Sequence, residues 1–450
     1  IEKNRSSSKK LVLSLVTISF LSSYSYANNT NVKAYSGANS KSRSASVYSS
    51  QSRINTTINQ SLSNTQTITD TGNTLVIGSS GTIQVSNNNH IAVDFKPSSS
   101  TDIFKNEGTI QGGSDKTSVQ VGANGNSGGG ATINTFTNEG IIGNGTSQFG
   151  ITVWGKDDFK STINNFSNKG IINSNVGEAI YLGNTEVKTF TNSGTISSNG
   201  GYGINIATGT SIENFNNNGT IKGENNAINI AKNSKIQTFN NTGFIQSNSS
   251  YGVINISSGS IQTFINDGTI KSTGTFQPSG DIEVSSGMYL EYSSINSFIN
   301  NGFISGIMGI NLLQATINTF INKGTIQSTC NNNVGAAINL MTSYGHASVI
   351  DNLTNEGILK SSSNGILAEI GNKINTLTNK GTIEASLNGI SFYDYDSASG
   401  SEMKLGKIIL ENDSSIKAGN NGINIDNIIN NRPFKPIKVE AIEVKKGAKI

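Results

Sequence analysis

The sequence predicts an all-β chain, a right-handed parallel β-helix of about twelve three-stranded coils with a basic unit near 24 residues. Three observations lead there. A phrase made of a large apolar residue, any residue, Asn, any residue, Gly, any residue and Ile or Leu occurs eleven times between Phe104 and Ile383. Two companion phrases recur at set places between its copies. No segment sustains apolar residues at helical spacing, and the 450 residues include only four Pro, as continuous ladders that use every N–H require. Self-similarity at such a period is the mark of a solenoid.

The main phrase appears as Phe104-Lys-Asn106-Glu-Gly108-Thr-Ile110, Phe136-Thr-Asn138-Glu-Gly140-Ile-Ile142 and Leu377-Thr-Asn379-Lys-Gly381-Thr-Ile383. A degenerate copy runs from Ile77 to Ile83, and a weaker one, Leu410-Glu-Asn412-Asp-Ser414-Ser-Ile416, lacks the Gly. Successive phrase glycines lie 22, 24 or 25 residues apart at the shortest and 27 to 34 at the longest, so insertions decorate a constant unit. Just before the Phe comes Ile-x-x-Phe, as in Ile212-Glu-Asn-Phe215 and Ile236-Gln-Thr-Phe239. Midway to the next unit comes an alternating segment such as Gly203-Ile-Asn-Ile206 or Ala337-Ile-Asn-Leu340. Alternation with period two is a strand signal, and Gly and Asn tolerate the positive φ of sharp corners. Three short strands and three corners make one coil. Stacking coils puts Phe on Phe and Ile on Ile in the lumen, and Asn on Asn as an internal amide ladder. A leucine-rich repeat would need Leu two residues after the first apolar position, where this chain has Asn.

Residues 1–27 read as a signal peptide. Lys3, Arg5, Lys9 and Lys10 precede an apolar run from Leu11 to Leu21, and Ser25-Tyr26-Ala27 supplies small residues for cleavage. That run is too short and too rich in Ser for a membrane anchor. The whole chain carries +3, and the leader carries the same excess, so the remainder is neutral. A neutral remainder offers no electrostatic footprint for nucleic acid. Residues 28–74, rich in Ser, Asn and Thr, are expected to be a linker and N-terminal cap region, and 75–450 the β-helix. Ile442 to Ile450 repeats the phrasing of Ile408 to Ile416, so a thirteenth coil is expected to be cut short at the end of the sequence.

A signal peptide, a polar lead-in and a cysteine-poor β-helix of F-x-N-x-G-T-I coils resemble the passenger of a Gram-negative type V autotransporter. The phrases Thr-Phe-Asn-Asn-Thr-Gly (238–243) and Thr-Phe-Ile-Asn-Lys-Gly-Thr-Ile (319–326) are similar to Campylobacter and Helicobacter passengers, including relatives of the vacuolating cytotoxin. The resemblance covers roughly residues 75–450. It implies a C-terminal outer-membrane β-barrel translocator absent from this sequence, secretion through the periplasm, and display at the outer membrane and cell surface or release from it. It also implies passage across the outer membrane in an unfolded state, with which the single cysteine, Cys330, is compatible.

Enzymatic chemistry finds little support in the residues. There is no Gly-Asp-Ser-Gly phrase, and the two histidines, His90 and His346, are far apart in sequence and read as solvated corner residues. A polysaccharide-cleaving β-helix would need acidic residues clustered on adjacent coils. Asp94, Asp102, Asp157, Asp158, Asp281, Asp394 and Asp396 are scattered instead, and Glu107, Glu139 and Glu356 alternate with Lys169, Lys323 and Lys380 as a solvated mixed face. No catalytic residue, cofactor or metal ligand is assigned. Function is expected in the insertions, at 111–131, 273–294, 327–349, 391–407 and 426–441. Tyr289, Tyr292, Tyr393 and Tyr395 are the candidate contacts, because Tyr joins an apolar face to a hydroxyl. Trp154, the sole tryptophan, reads as strand-end packing. The expected role is that of a surface-displayed adhesin holding a host cell-surface protein or glycan, or other bacteria. A released cytotoxin-like passenger and a polysaccharide-degrading enzyme are the alternatives.

Overall fold

A computed structural model describes residues 55–450 except 86, 123–128, 144–146, 157, 250, 275–284, 333–334, 343–345, 370, 394–403 and 426–437. The proposed leader, 1–27, lies outside these residues. Residues 52–450 form one compact unit. It is a right-handed parallel β-helix. Every third strand in chain order joins the same sheet, giving three parallel sheets of 15, 14 and 14 strands. Among the described residues that makes fourteen coils, two more than the sequence suggests, followed by the strand Lys438–Val444. The coil missed at the start, with strands Asn55–Ile58, Ser61–Leu62 and Gln66–Ile68, falls inside the segment 28–74. It carries neither the Phe nor the Asn of the phrase.

The stacking code is realised side chain by side chain. Phe104, Phe136, Phe166, Phe190, Phe215, Phe239, Phe264, Phe298 and Phe320 form one buried column, with centroids 4.5–5.0 Å apart where the rings stack face on face. Such spacing is the ordinary separation of paired strands, so a Phe in every coil fills the lumen without gaps. Leu353, Leu377 and Ile408 continue the column.

Beside it runs the amide ladder. Asn106 donates from Nδ2 to Oδ1 of Asn138 at 2.8 Å, and the same contact repeats at 2.7–2.8 Å down to Asn379. All eleven Asn are fully buried. Each also donates to the carbonyl two residues on, as Asn192 does to Gly194 at 3.3 Å, which pins the tight Asn-x-Gly corner. All amides point the same way. The first, Asn106, therefore has an Oδ1 without a donor, facing the aliphatic Ile77 of the coil before it.

Two sequence readings need correction. The phrase glycines are not in the positive-φ region. They are required by close approach: a Cβ on Gly140 or Gly219 would lie 2.0–2.1 Å from the carbonyl oxygen of the stacked Gly one coil earlier. The two degenerate copies are also shifted. Ile77 and Leu410 occupy the Asn position, opposite Asn106 and Asn379, and the Phe position is held by Leu75 and Ile408. Their corners hold five residues before the next core Ile, against three after Asn106. Without the amide clamp the chain takes a longer turn, and the last strand repeats this with Val444 opposite Leu410. The first coil is the exception, reaching Leu62 from Ile58 by a short corner without the Asn.

Candidate functional site

The predicted contact residues scatter. Tyr289 is not in an insertion but in the strand Ser286–Glu291 of the third sheet, paired with Asn255 and Asn311. Its hydroxyl is held well above the usual tyrosine range, first by burial and then by Glu291. Tyr292 is the next corner and is half exposed. Its φ of 48° is a left-handed conformation rare for a bulky residue, at a corner position where Asn233 and Ser258 have similar values. Tyr393 ends the strand Asn388–Tyr393, and Tyr395 lies outside the described residues. Phe392, from the same predicted insertion, is buried in the lumen. Tyr289 and Tyr292 are thus neighbours, and Tyr393 sits four coils further on.

Other candidate chemistry is equally dispersed. His90 and His346 are exposed, and among the described residues no cluster of His, Cys, Asp or Glu could hold a metal ion. Cys330 is buried against Ile307 and Met308, its thiol donating to Asn332 Oδ1 at 2.8 Å and pushed above the usual thiol range by burial. Trp154 stacks on Tyr181 with centroids 5.2 Å apart and ring planes 6° apart. The Tyr181 hydroxyl is pushed up to about 12 by burial and by Glu178. The corner charges form ion pairs between coils, with Glu139 held by Lys105 and by Lys169 at 2.9 Å each and Glu356 by Lys380 at 3.0 Å. Those two lysines hold the Glu139 carboxyl at about 2, well below the usual carboxylate range.

One concave surface does bring polar residues together. In the coils from Ser161–Asn168 to Thr316–Asn322 of the first sheet a buried Ile or Val and the buried Phe lie three positions apart, with two outward residues between them. Lys235–Asn241 shows the order, with Ile236 and Phe239 inward and Gln237 and Thr238 outward. Two outward residues in succession break strict alternation, so the strand bends there. Beside these bends the residues flanking the inward aliphatic position line a groove of about 820 Å³ across seven coils, from Thr162 to Asn318. With strands about 4.8 Å apart, six steps give a length of about 29 Å. The inward-pointing Ile212, Ile236, Ile261 and Ile295 leave backbone as its floor. Ser211, Ser260 and Ser294 stand along one wall, and Gln237, Gln262 and Asn296 along the other. The Ile-x-x-Phe phrase was the signal for this bend. Sequence reasoning used it only to place a strand.

No protein-family model, curated protein or solved structure matches the chain. The groove and the exposed corners therefore have to be read on their own chemistry.

Proposed function

We propose that this chain is the surface-displayed passenger of a type V secreted protein, acting as an adhesin or host-interaction module. What supports the reading is the form of the β-helix. Its interior is spent on stacking and its coils are alike, so what differs along it is at corners and on outer faces. Such a stack holds many modest contacts in fixed register, and several weak contacts made together hold far better than one. The single observation that carries the proposal is the continuous outer groove, a preformed surface that repeats coil after coil. Its partner is a host cell-surface protein or glycan, or a neighbouring bacterium, and its outer-membrane translocator is expected to be encoded with it.

The test is made on cells producing the full protein. External protease should remove the β-helix from intact bacteria, and a deletion strain should adhere to host cells less than its parent. Protection from protease until the cells are lysed, with adherence unchanged by the deletion, would sink the proposal.

A further inference from the structure

We infer that the first-sheet groove binds a linear, uncharged polysaccharide laid along the stacking axis. The inference deepens the adhesin reading and rests on it for the biological setting, not for the chemistry. Four features of the groove point to this ligand.

The first is unspent hydrogen-bonding capacity. Elsewhere in the same outward column the side chains are joined coil to coil. Asn164 donates to Asn134 at 2.8 Å and Asn134 to Asp102 at 3.1 Å, Asn318 donates to Asn296 at 2.9 Å, and Asn375 donates to Asp351 at 2.8 Å. Between these runs Gln237 and Gln262 make no such bond. Facing them across the floor, the hydroxyls of Ser211, Ser260 and Ser294 also make no hydrogen bond to another protein group. An amide offers two donors and two acceptor lone pairs, and a hydroxyl one donor and two lone pairs. Sugar hydroxyls, each a donor and an acceptor, are the complement of that mixture.

Charge is the second feature. Two Glu and two Lys line the groove, Glu186 and Glu213 with Lys188 and Lys235, and they cancel. From Gln237 on, the amide wall is uncharged. A polyanion would gain little here, because like and unlike charges meet it in equal number.

Third, the groove is periodic. Register is kept from Ser211 through Lys235 and Ser260 to Ser294, so equivalent side chains recur once per coil. A polymer with a short, regular repeat can meet them in succession; a compact ligand would use only one or two coils.

The floor excludes the main rival, an extended peptide. Peptides bind sheets by adding a strand to a free edge. Every strand flooring this groove is already paired on both sides, so no free edge is offered.

The experiment is titration calorimetry of the full chain with four neutral hexasaccharides, namely cellohexaose, laminarihexaose, maltohexaose and chitohexaose, and with hexagalacturonate as the acidic probe. At least one neutral hexasaccharide should bind, its trisaccharide should bind at least tenfold more weakly, and hexagalacturonate should bind less well than either. The double variant Gln262→Leu, Asn296→Leu should lose a further tenfold or more, about 1.4 kcal/mol, while the remote Glu356→Gln should not change affinity. Both altered positions are exposed, so thermal melting should confirm an unchanged fold. Failure of every neutral probe, tighter binding of hexagalacturonate, or a double variant equal to the parent would each overturn the inference. Adherence of cells carrying the double variant separates the two readings. If cells adhere while no neutral glycan binds, the groove inference falls and the display reading stands. If a glycan binds but producing cells do not adhere, the display reading falls alone.

Discussion

Leucine in place of Asn241, at the middle of the amide ladder, should cost more stability than leucine in place of Asn106 at its start, although both lose the same number of hydrogen bonds. Asn241 accepts from Asn217 at 2.7 Å, donates to Asn266 at 2.7 Å and donates to Gly243 at 3.4 Å. Asn106 donates to Asn138 at 2.8 Å, to Gly108 at 3.3 Å and to the Ile141 carbonyl at 3.2 Å. Three bonds each, at a net contribution of about 0.5–1.5 kcal/mol per bond, predict losses of about 1.5–4.5 kcal/mol for either change. The two differ in what is left behind. Asn241→Leu strands the buried Oδ1 of Asn266, whose donor was Asn241, and also leaves one Nδ2–H of Asn217 without its acceptor. Asn106→Leu strands Oδ1 of Asn138 but removes the Oδ1 of Asn106 that already lacks a donor, so the number of stranded acceptors stays the same. One extra stranded acceptor and one extra stranded donor, at about 1–3 kcal/mol each, make the expected gap about 2–6 kcal/mol. Urea unfolding of both variants would measure it, with hydrogen exchange at the substituted coils as a local check, because long repeat arrays can lose cooperativity. Equal losses, or a larger loss at Asn106, would refute the claim that ladder polarity rather than bond number sets the cost.

Three other outcomes follow from the same contacts. Phe239→Ala removes a ring held between Phe215 and Phe264, with centroids 4.6 and 4.8 Å away, and should cost about 3–5 kcal/mol in denaturant unfolding; a negligible change would contradict the lumen stack. Tyr292→Gly should leave stability level or raise it by up to about 1 kcal/mol, since release from a left-handed conformation outweighs the added chain entropy. A clear fall in melting temperature would mean that the ring is packed rather than displayed. The Glu139 carboxyl is lowered in the folded chain, so its stabilising effect is complete above the unfolded value near 4.5 and is lost as pH falls toward 2. Glu139→Gln should flatten that part of the pH–stability curve, by no more than about 1 kcal/mol for a surface pair, and a curve of unchanged slope would refute the pairing.

The repeat made the lumen legible. A residue recurring at the same step of each unit must meet its own copies, so the Phe column, the Ile column and the Asn ladder could all be named before any coordinates. The ends of the ladder could not. Ile77 and Leu410 match the apolar letter of the phrase, and only strand pairing reveals that they stand opposite Asn, because a longer corner shifts the register without altering the local pattern. Tyr289 was misplaced for a similar reason, as a strand following an insertion has no phrase to mark its start.

What the sequence by itself determined is the coil, since the choice of inward residue at each step is local and repeated. What the tertiary structure decided is the outer surface. A groove arises only when bends from seven coils, separated by more than twenty residues each, come into line. Whether an amide there is joined to another depends on the neighbour it meets across a gap in sequence, as Asn318 meets Asn296 while the Gln262 side chain meets no such partner. Stacking turns one residue's side chain into another's environment, and that relation is not written in either residue alone.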